Sequence, residues 1–313
     1  MKSRRGLSLV ELLVVMAILG VLFSILFVVI QAVRESARRF ECQHRMRQIS
    51  LAVASYESSY RCFPQANNDH GGFLSTILPF NEKDLIYREV VTFVASGEDW
   101  AKFSRKIPEY ICPSDSAAAL VTSGASGAGS NYSGNSGSWI GSTRKFDGIF
   151  SPLYDFGFGG GIVKARDVTD GMSTTNCLSE CLRANGNYHR LRVNWNLPIL
   201  YHERRVFADA CNSVPSNAHA DGWEGNRSSR GYPWISGNLT VTLHNHIGTP
   251  NSPSCYNKSM IPTAMSTATS LHQGGVNAAM ADGSIGFVSE AIDSDIWFAR
   301  GSRNGNGMSP TEN

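Results

Sequence analysis

A histidine and an aspartate near the C-terminus have types and spacing that suit acid–base chemistry. His272 stands ten residues before Asp282 and Gly283. A histidine beside an aspartate is the core of many general-base and triad arrangements. Asp-Gly between two apolar runs is also a preferred hairpin-turn dipeptide, which accounts for Asp282 without catalysis. We therefore expect His272, Asp282 and Gly283 to act through the fold, with ligand binding and catalysis as the alternatives.

Two further sets of side chains have donor atoms that suit metal ions. His244 and His246 are two residues apart, so on a strand they would share a face and need only one more ligand. We expect them instead to be polar loop residues, with a metal site as the alternative. Four aspartates lie in glycine-containing loops, namely Asp147, Asp155, Asp167 and Asp170. Their spacing fits no calcium-loop template, so we expect no metal and no cofactor, with calcium left open as an alternative.

Enzymatic activity and nucleic-acid binding have no support in the motifs or the charge. The sequence contains no G-x-S-x-G, G-x-G-x-x-G, P-loop or H-E-x-x-H motif. The 28 Lys and Arg residues nearly balance the 26 Asp and Glu residues, so no polyanion partner is indicated. We predict that the protein is not an enzyme and has no nucleic-acid partner.

The N-terminus carries a membrane-length apolar segment. Residues 7–30 are apolar except for a few small or polar side chains, and their only charge is Glu11. About 20 apolar residues cross a bilayer as a helix. Lys2, Arg4 and Arg5 precede the segment, which predicts a cytoplasmic N-terminus and an exported body. An ordinary signal peptide has a shorter apolar stretch, and a plain anchor does not explain an ionisable group in the span.

Residues 5–18, RGLSLVELLVVMAI, resemble the signal of type IV prepilins and of type II secretion pseudopilins. The resemblance implies that prepilin peptidase cuts between Gly6 and Leu7 and methylates the new terminus at Leu7. Glu11 then becomes the fifth mature residue. It lies about one turn from the new cationic terminus, so it can pair with the terminal amine of a neighbouring subunit during assembly.

The apolar segment continues into a predicted stalk. Residues 31–60 contain no Gly or Pro and are rich in helix formers, which predicts one helix of about 50 residues, roughly 75 Å long. Its outer half carries an apolar stripe at helical spacing, formed by Cys42, Met46, Ile49, Val53, Tyr56 and Tyr60. We expect this stripe to pack on the body, the alternative being a helix on a membrane surface. Phe63-Pro64 should end the helix.

The body reads as a mixed α+β head with long loops. Residues 74–94 predict one or two short helices broken at Pro79, and residues 107–112 predict a strand. Residues 114–142 are rich in Ser and Gly, which is typical of a loop. A helix or a strand should end near Arg183. In residues 185–262 the apolar residues show no clear helical or strand periodicity, so we assign no helix or strand there.

The C-terminal stretch predicts a hairpin followed by a short helix. Strands at 276–281 and 284–289 flank a two-residue Asp-Gly turn, which would place Met280 opposite Ile285. Asp293 or Ser294 can cap a helix that ends at Gly301.

This stretch, SLHQGGVNAAMADGSIGFVSEAID, resembles the H-x9-DG region of a large bacterial family of pseudopilin-like proteins of unknown function. Upstream segments such as ARRFECQHRMRQ, LPFNEKDLIY, YICPSD and SNYSGNSG resemble successive blocks of that family. The resemblance therefore covers nearly the whole chain apart from residues 185–262.

The seven cysteines of the exported body make disulfides feasible, and the odd number leaves at least one unpaired. Cys42 and Cys112 sit in blocks shared with the family, and the stalk stripe needs an anchor, so we expect this pair to be bonded. Cys177 and Cys181 are spaced as helix neighbours, which alone establishes neither a bond nor a metal site.

We interpret the chain as a pseudopilin-like structural subunit. Residues 1–6 form a cleaved leader, 7–30 a transmembrane segment, 31–62 a stalk and 63–313 an exported α+β head, mainly antiparallel in its sheets. The expected partners are prepilin peptidase, further copies or other pseudopilins, and the lipid of a bacterial inner membrane. The alternative is an anchored extracytoplasmic module whose loops bind a glycan, a solute or a metal.

Overall fold

The computed structural model describes residues 9–115, 128–138, 146–151, 161–197, 204–218, 220, 223–226, 229–257 and 264–305. Gly6, Leu7 and Asp155 lie outside these ranges. The architecture is a long N-terminal helix followed by a sheet-rich α+β head, as the sequence predicts.

Helix α1, Leu9–Tyr60, is 52 residues long and forms the whole stalk. It ends two residues before the predicted boundary at 62, because Arg61 adopts a left-handed conformation with φ 59°. The N-terminal part of α1 contains an 18-residue window of mean hydropathy 3.2 with none of its residues buried, so it is long and apolar enough to cross a membrane.

The outer half of α1 packs against the head through the predicted stripe. Cys42, Met46, Ile49 and Val53 are buried, whereas Tyr56 is only partly buried and Tyr60 is exposed. The four buried residues belong to the largest core cluster of the described residues, together with Phe73, Tyr110 and Trp234 among others, and Tyr56 packs against it. The stalk is therefore part of the hydrophobic core of the head.

The remaining helices are short. The α-helices are α2 (Phe73–Thr76), α3 (Asp84–Ala95), α4 (Arg204–Asn212) and α5 (Ser294–Ala299). Single 3-10 turns span Leu78–Asn81, Trp100–Lys102, Pro108–Tyr110 and Ala165–Asp167. Helix α5 is capped by Asp293, whose carboxylate accepts hydrogen bonds from the backbone N–H groups of Asp295 and Ile296 at 2.9 and 3.0 Å.

The strands of the described residues form three sheets. They are β1 (Asn67–Asn68), β2 (Gly71–Gly72), β3 (Tyr132–Asn135), β4 (Asn176–Glu180), β5 (Asn194–Asn196), β6 (Gly225–Asn226), β7 (Leu243–His244), β8 (Ser254–Tyr256), β9 (Ala264–Met265), β10 (Gly275–Met280) and β11 (Ile285–Ser289). The largest sheet has the order β11-β10-β4-β3-β7, the second has the order β6-β5-β8-β9, and β1 pairs with β2. Pairing is antiparallel except between β3 and β7 and between β5 and β8.

The C-terminal hairpin exists, but its predicted register is wrong by one residue. Ala279, not Met280, lies opposite Ile285. The Met280 N–H donates to the Ser284 carbonyl at 2.8 Å, and the Gly283 N–H donates to the Met280 carbonyl at 3.0 Å. The loop thus has three residues and ends in Gly283 at φ +86°, the pattern of a turn closed by a left-handed bulge residue.

Three other local predictions need correction. Residues 114–142, expected to form a loop, contain strand β3, because Tyr132–Asn135 is buried and pairs with β4 and β7. The strand expected at 107–112 is instead the 3-10 turn Pro108–Tyr110, because Pro108 has no N–H to give to a sheet and its fixed φ suits the first position of a helical turn. The unassigned stretch 185–262 holds β5 to β8 and α4 within its described part. Its second core cluster includes Val193, Trp195, Phe207 and Cys255.

Candidate functional site at the junction of stalk and head

The head is covalently attached to the stalk. Cys42 of α1 and Cys112 form a disulfide with 5.1 Å between their Cα atoms, the pairing expected from the resemblance. The Cys42 carbonyl also accepts a hydrogen bond from the Tyr132 hydroxyl at 3.0 Å. Arg45, one turn further along α1, donates to the Pro108 carbonyl at 2.8 Å. The stalk and the head therefore form one unit in this region.

Beside the disulfide lies a polar network that we call the junction cluster, formed by Glu35, Gln43, Glu180, His272 and Asn277. The His272 ring lies between two carboxylates, with Nδ1 2.8 Å from Glu35 Oε1 and Nε2 3.3 Å from Glu180 Oε1. Glu180 accepts from the Asn277 backbone N–H at 2.8 Å and from the Asn277 side chain at 2.9 Å. Gln43 donates to the Asn277 side-chain oxygen at 2.8 Å. The cluster thus runs from α1 through β4 and β10 and back to α1.

The protonation of His272 follows from this position. Burial disfavours the charged imidazolium, but hydrogen bonds and charge from Glu180 and Glu35 outweigh it, so the pKa of His272 is raised above its ordinary value. A histidine whose two ring nitrogens both face carboxylates is best satisfied when both nitrogens carry a proton. The ring then acts as a charged link between stalk and head.

The structure does not pair His272 with Asp282. The Asp282 carboxylate accepts from the Ser284 N–H at 2.9 Å and from the Ser284 hydroxyl at 2.7 Å, which is a local turn interaction. At the same turn, a Cβ added to Gly283 would lie 3.6 Å from Ser50 Oγ. His272 instead contacts Glu35, which is 15 residues or about 22 Å from Ser50 along the helix. The two ends of the motif therefore touch the stalk at separate places.

The two glycines after His272 are explained by backbone geometry. Gly274 has φ +83°, a left-handed conformation that favours glycine. A Cβ on Gly275 would lie 2.0 Å from the Val288 carbonyl oxygen, so β10 approaches β11 more closely than any side chain allows. Both glycines therefore have a structural role.

His244 and His246 lie close together and are buried, and His244 belongs to β7, so the expectation that they are polar loop residues is wrong. Their rings are 5.3 Å apart, and each places Nε2 near the side-chain oxygen of Asn176, at 2.9 and 3.2 Å. His246 also stacks on Trp297. Burial, aided by Arg300, lowers the pKa of His246 to about 3, so this ring is neutral at physiological pH. No third metal-ligating residue joins them within the described residues.

The aspartates considered for calcium are held by separate partners. Asp147 is buried and accepts from the Ser138 N–H at 2.8 Å. Asp167 accepts from the Lys164 N–H at 2.9 Å, and Asp170 from the Gly305 N–H at 2.6 Å. In the part of the chain that the structure describes, these three carboxylates do not gather into a candidate cation site.

The other cysteines divide into a second disulfide and unpaired thiols. Cys211 of α4 bonds to Cys255 of β8, a pairing that the sequence does not reveal. Cys62, Cys177 and Cys181 are not in disulfides. Cys177 belongs to strand β4 rather than to a helix, so the i, i+4 spacing of the last two is not a helical neighbour pair.

Among the described residues, one set of side chains has the composition and proximity of a metal site. The donor atoms of Cys42, Cys112, Glu180 and His272 all lie within 4.8 Å of one another, and all four residues are buried. Sequence reasoning found three of these residues for other reasons but missed Glu180, as it missed Glu35. The sequence signal that could have pointed to Glu180 is its position as the one charged residue in the strand Asn176–Glu180.

The comparisons with known proteins agree with this organisation. Residues 31–295 match the model of a family described as "Protein of unknown function (DUF1559)". The chain belongs to this family. Residues 1–27 match the prokaryotic N-terminal methylation motif, which indicates a type IV pilin-like precursor. No curated protein and no solved structure matches the chain.

Proposed function

We propose that this DUF1559 protein is a pseudopilin-like structural subunit rather than an enzyme. Prepilin peptidase cuts it after Gly6 and methylates Leu7. Residues 7–30 then hold it in the bacterial inner membrane with the head on the extracytoplasmic side. From there it enters a pilus or a type II secretion-like filament, together with further copies of itself or with other pseudopilins.

The observation that carries this proposal is the contrast between the two halves of α1. In the first half the large apolar side chains are exposed, and Leu12, Phe23 and Ile25 are more than half exposed. In the second half the stripe is buried in the head, and the Cys42–Cys112 disulfide holds it there. A head fixed to one end of an uncovered apolar helix requires lipid or neighbouring helices around that helix.

Glu11 supports the filament over a simple anchor. An ionisable side chain within an apolar membrane segment is costly and usually marks a function. Once the leader is removed, the new terminal amine lies about one helical turn from Glu11 in each subunit. A carboxylate and an amine from adjacent subunits attract each other strongly in a medium of low dielectric constant. Glu11 is therefore the proposed assembly residue.

Processing can be tested by mass analysis of the N-terminal peptide of the membrane protein. We expect a chain that begins at Leu7 and carries one added methyl group. A Gly6→Val variant is the control and should keep Met1. A parent protein with an intact Met1 terminus, or one cut beyond Ile30, would contradict the proposal.

Assembly can be tested with Glu11→Ala in native membranes, with a photo-crosslinking amino acid at the exposed position Leu19. We expect normal processing and insertion but a loss of crosslinked multimers. Glu41→Ala is the matched control, because Glu41 is an exposed carboxylate on the same helix whose ion pair with Arg45 is worth little. Unchanged multimers in Glu11→Ala would favour the alternative of an anchored binding module.

A further inference from the structure

We propose that the stalk–head junction is a zinc site when the Cys42–Cys112 disulfide is reduced, with Cys42, Cys112, His272 and Glu180 as the four ligands. The four residues come from distant parts of the chain, and each is at most 5% exposed. Two thiolates, an imidazole and a carboxylate are ligand types that Zn²⁺ takes in proteins. The inference does not depend on the proposed filament function.

Two of the separations between donor atoms already match those of a tetrahedral zinc site. Zinc–ligand bonds of about 2.0 to 2.3 Å place a nitrogen and an oxygen ligand about 3.3 Å apart, and a nitrogen and a sulfur ligand about 3.6 Å apart. His272 Nε2 lies 3.3 Å from Glu180 Oε1 and 3.8 Å from Cys112 Sγ. All four donor atoms lie within 4.8 Å of one another, so binding requires the two sulfurs to move apart once their bond is broken and the donor atoms to close around the ion.

The surroundings of the ligands suit a metal as well. A zinc-bound histidine commonly donates its other ring N–H to a carboxylate, which fixes the ring. Here His272 Nδ1 lies 2.8 Å from Glu35 Oε1, leaving Nε2 to bind the ion in place of its proton. The second oxygen of Glu180 accepts the Asn277 N–H at 2.8 Å, which orients the carboxylate. Both non-sulfur ligands are thus held before any metal arrives.

The change of state is a two-electron exchange. A dithiol donor gives two electrons and two protons to the Cys42–Cys112 disulfide and becomes a disulfide itself. The two thiols then lose their protons as they bind Zn²⁺. Reoxidation by a disulfide compound, which takes two electrons from the thiolates and two protons from water and becomes a dithiol, releases the ion and restores the Cys42–Cys112 disulfide. Because Cys42 belongs to the stalk and the other ligands belong to the head, the metal would keep the two parts connected when the covalent bond is absent.

The test uses the full chain in detergent, reduced with tris(2-carboxyethyl)phosphine, which becomes a phosphine oxide with oxygen taken from water. Co²⁺ is the spectroscopic probe. We expect one Co²⁺ per chain, a thiolate-to-cobalt charge-transfer band and tetrahedral d–d bands, all removed by Zn²⁺. The oxidised chain should bind none. His272→Ala and Glu180→Gln should weaken binding at least 10-fold.

The controls address the other sulfurs and the risk of misfolding. Cys181→Ser removes a buried thiol outside the site and should bind as the parent does, and so should Cys211→Ser combined with Cys255→Ser. If the ligand variants do not fold, X-ray absorption spectroscopy on the reduced, zinc-loaded parent identifies the atoms bound to zinc and tests the site directly. Two sulfur and two nitrogen or oxygen neighbours support the site. Absence of binding, binding retained in Cys42→Ser, or any other ligand count overturns it.

Discussion

Replacing Ile49 with Ala should destabilise the protein by removing the centre of the contact between stalk and head. Ile49 is fully buried in the largest core cluster. Truncation of a buried Ile to Ala costs about 2 to 5 kcal/mol, since the removed carbons leave a cavity in a closely packed core. For a domain of this size, about 3 kcal/mol corresponds to a melting temperature lower by roughly 6 to 12 °C.

Leu51 provides the matched control for this prediction. It lies two residues further along α1 and is 66% exposed. Leu51→Ala removes the same number of side-chain carbons but should change the free energy of unfolding by no more than about 0.5 kcal/mol. The assay is thermal unfolding of the detergent-solubilised mature chain, followed by near-UV circular dichroism with the disulfides intact. If both variants melt alike, the stalk does not pack on the head as described.

Two further predictions concern the turn and the buried His246. Gly283→Val should lower the free energy of unfolding by about 1 to 3 kcal/mol, because a β-branched residue is strained in the left-handed conformation. Gly286→Val is the control and should melt like the parent, since Gly286 has no positive φ and an added Cβ there has open space. Equal melting temperatures of the two variants would contradict the turn geometry. Because the pKa of His246 falls to about 3 on folding, from about 6.5 in the unfolded chain, its contribution to stability is full above pH 6.5 and declines as the pH falls. In urea titrations, the free energy of unfolding should fall by about 2 kcal/mol between pH 7.5 and pH 5 because of this residue. The fall should be smaller in His246→Gln and unchanged in the control His44→Gln, whose histidine is exposed.

The elements with a strong local signal were predictable from the sequence. An apolar run followed by thirty residues without Gly or Pro fixed helix α1 to within two residues of its end. The stripe correctly placed the packing face of α1. Asp293 was one of two proposed caps, and its carboxylate does cap α5. In each case the determining interactions are within one or two turns of the residue concerned.

The failures share a different physical origin. Asp-Gly suits both a two-residue turn and a three-residue loop with a left-handed final glycine, so the dipeptide alone could not fix the hairpin register. The partners of His272 are Glu35 and Glu180, which are far away in sequence and give no local pattern. The Cys211–Cys255 disulfide likewise depends on how α4 packs near β8, which is a tertiary property.

The spacing between His272 and Asp282 has a structural explanation that needs no catalysis. Strand β10 runs in the same direction as α1, and the chain approaches α1 at three successive places, before, within and after this strand. His272 contacts Glu35, Asn277 contacts Gln43, and Gly283 lies beside Ser50. His272 and Gly283 lie three residues before and three residues after β10. The six residues of β10 span about 20 Å at 3.3 Å each, and the 15 residues of helix between Glu35 and Ser50 span about 22 Å. The motif therefore has the length required to fix both ends of one strand to the stalk.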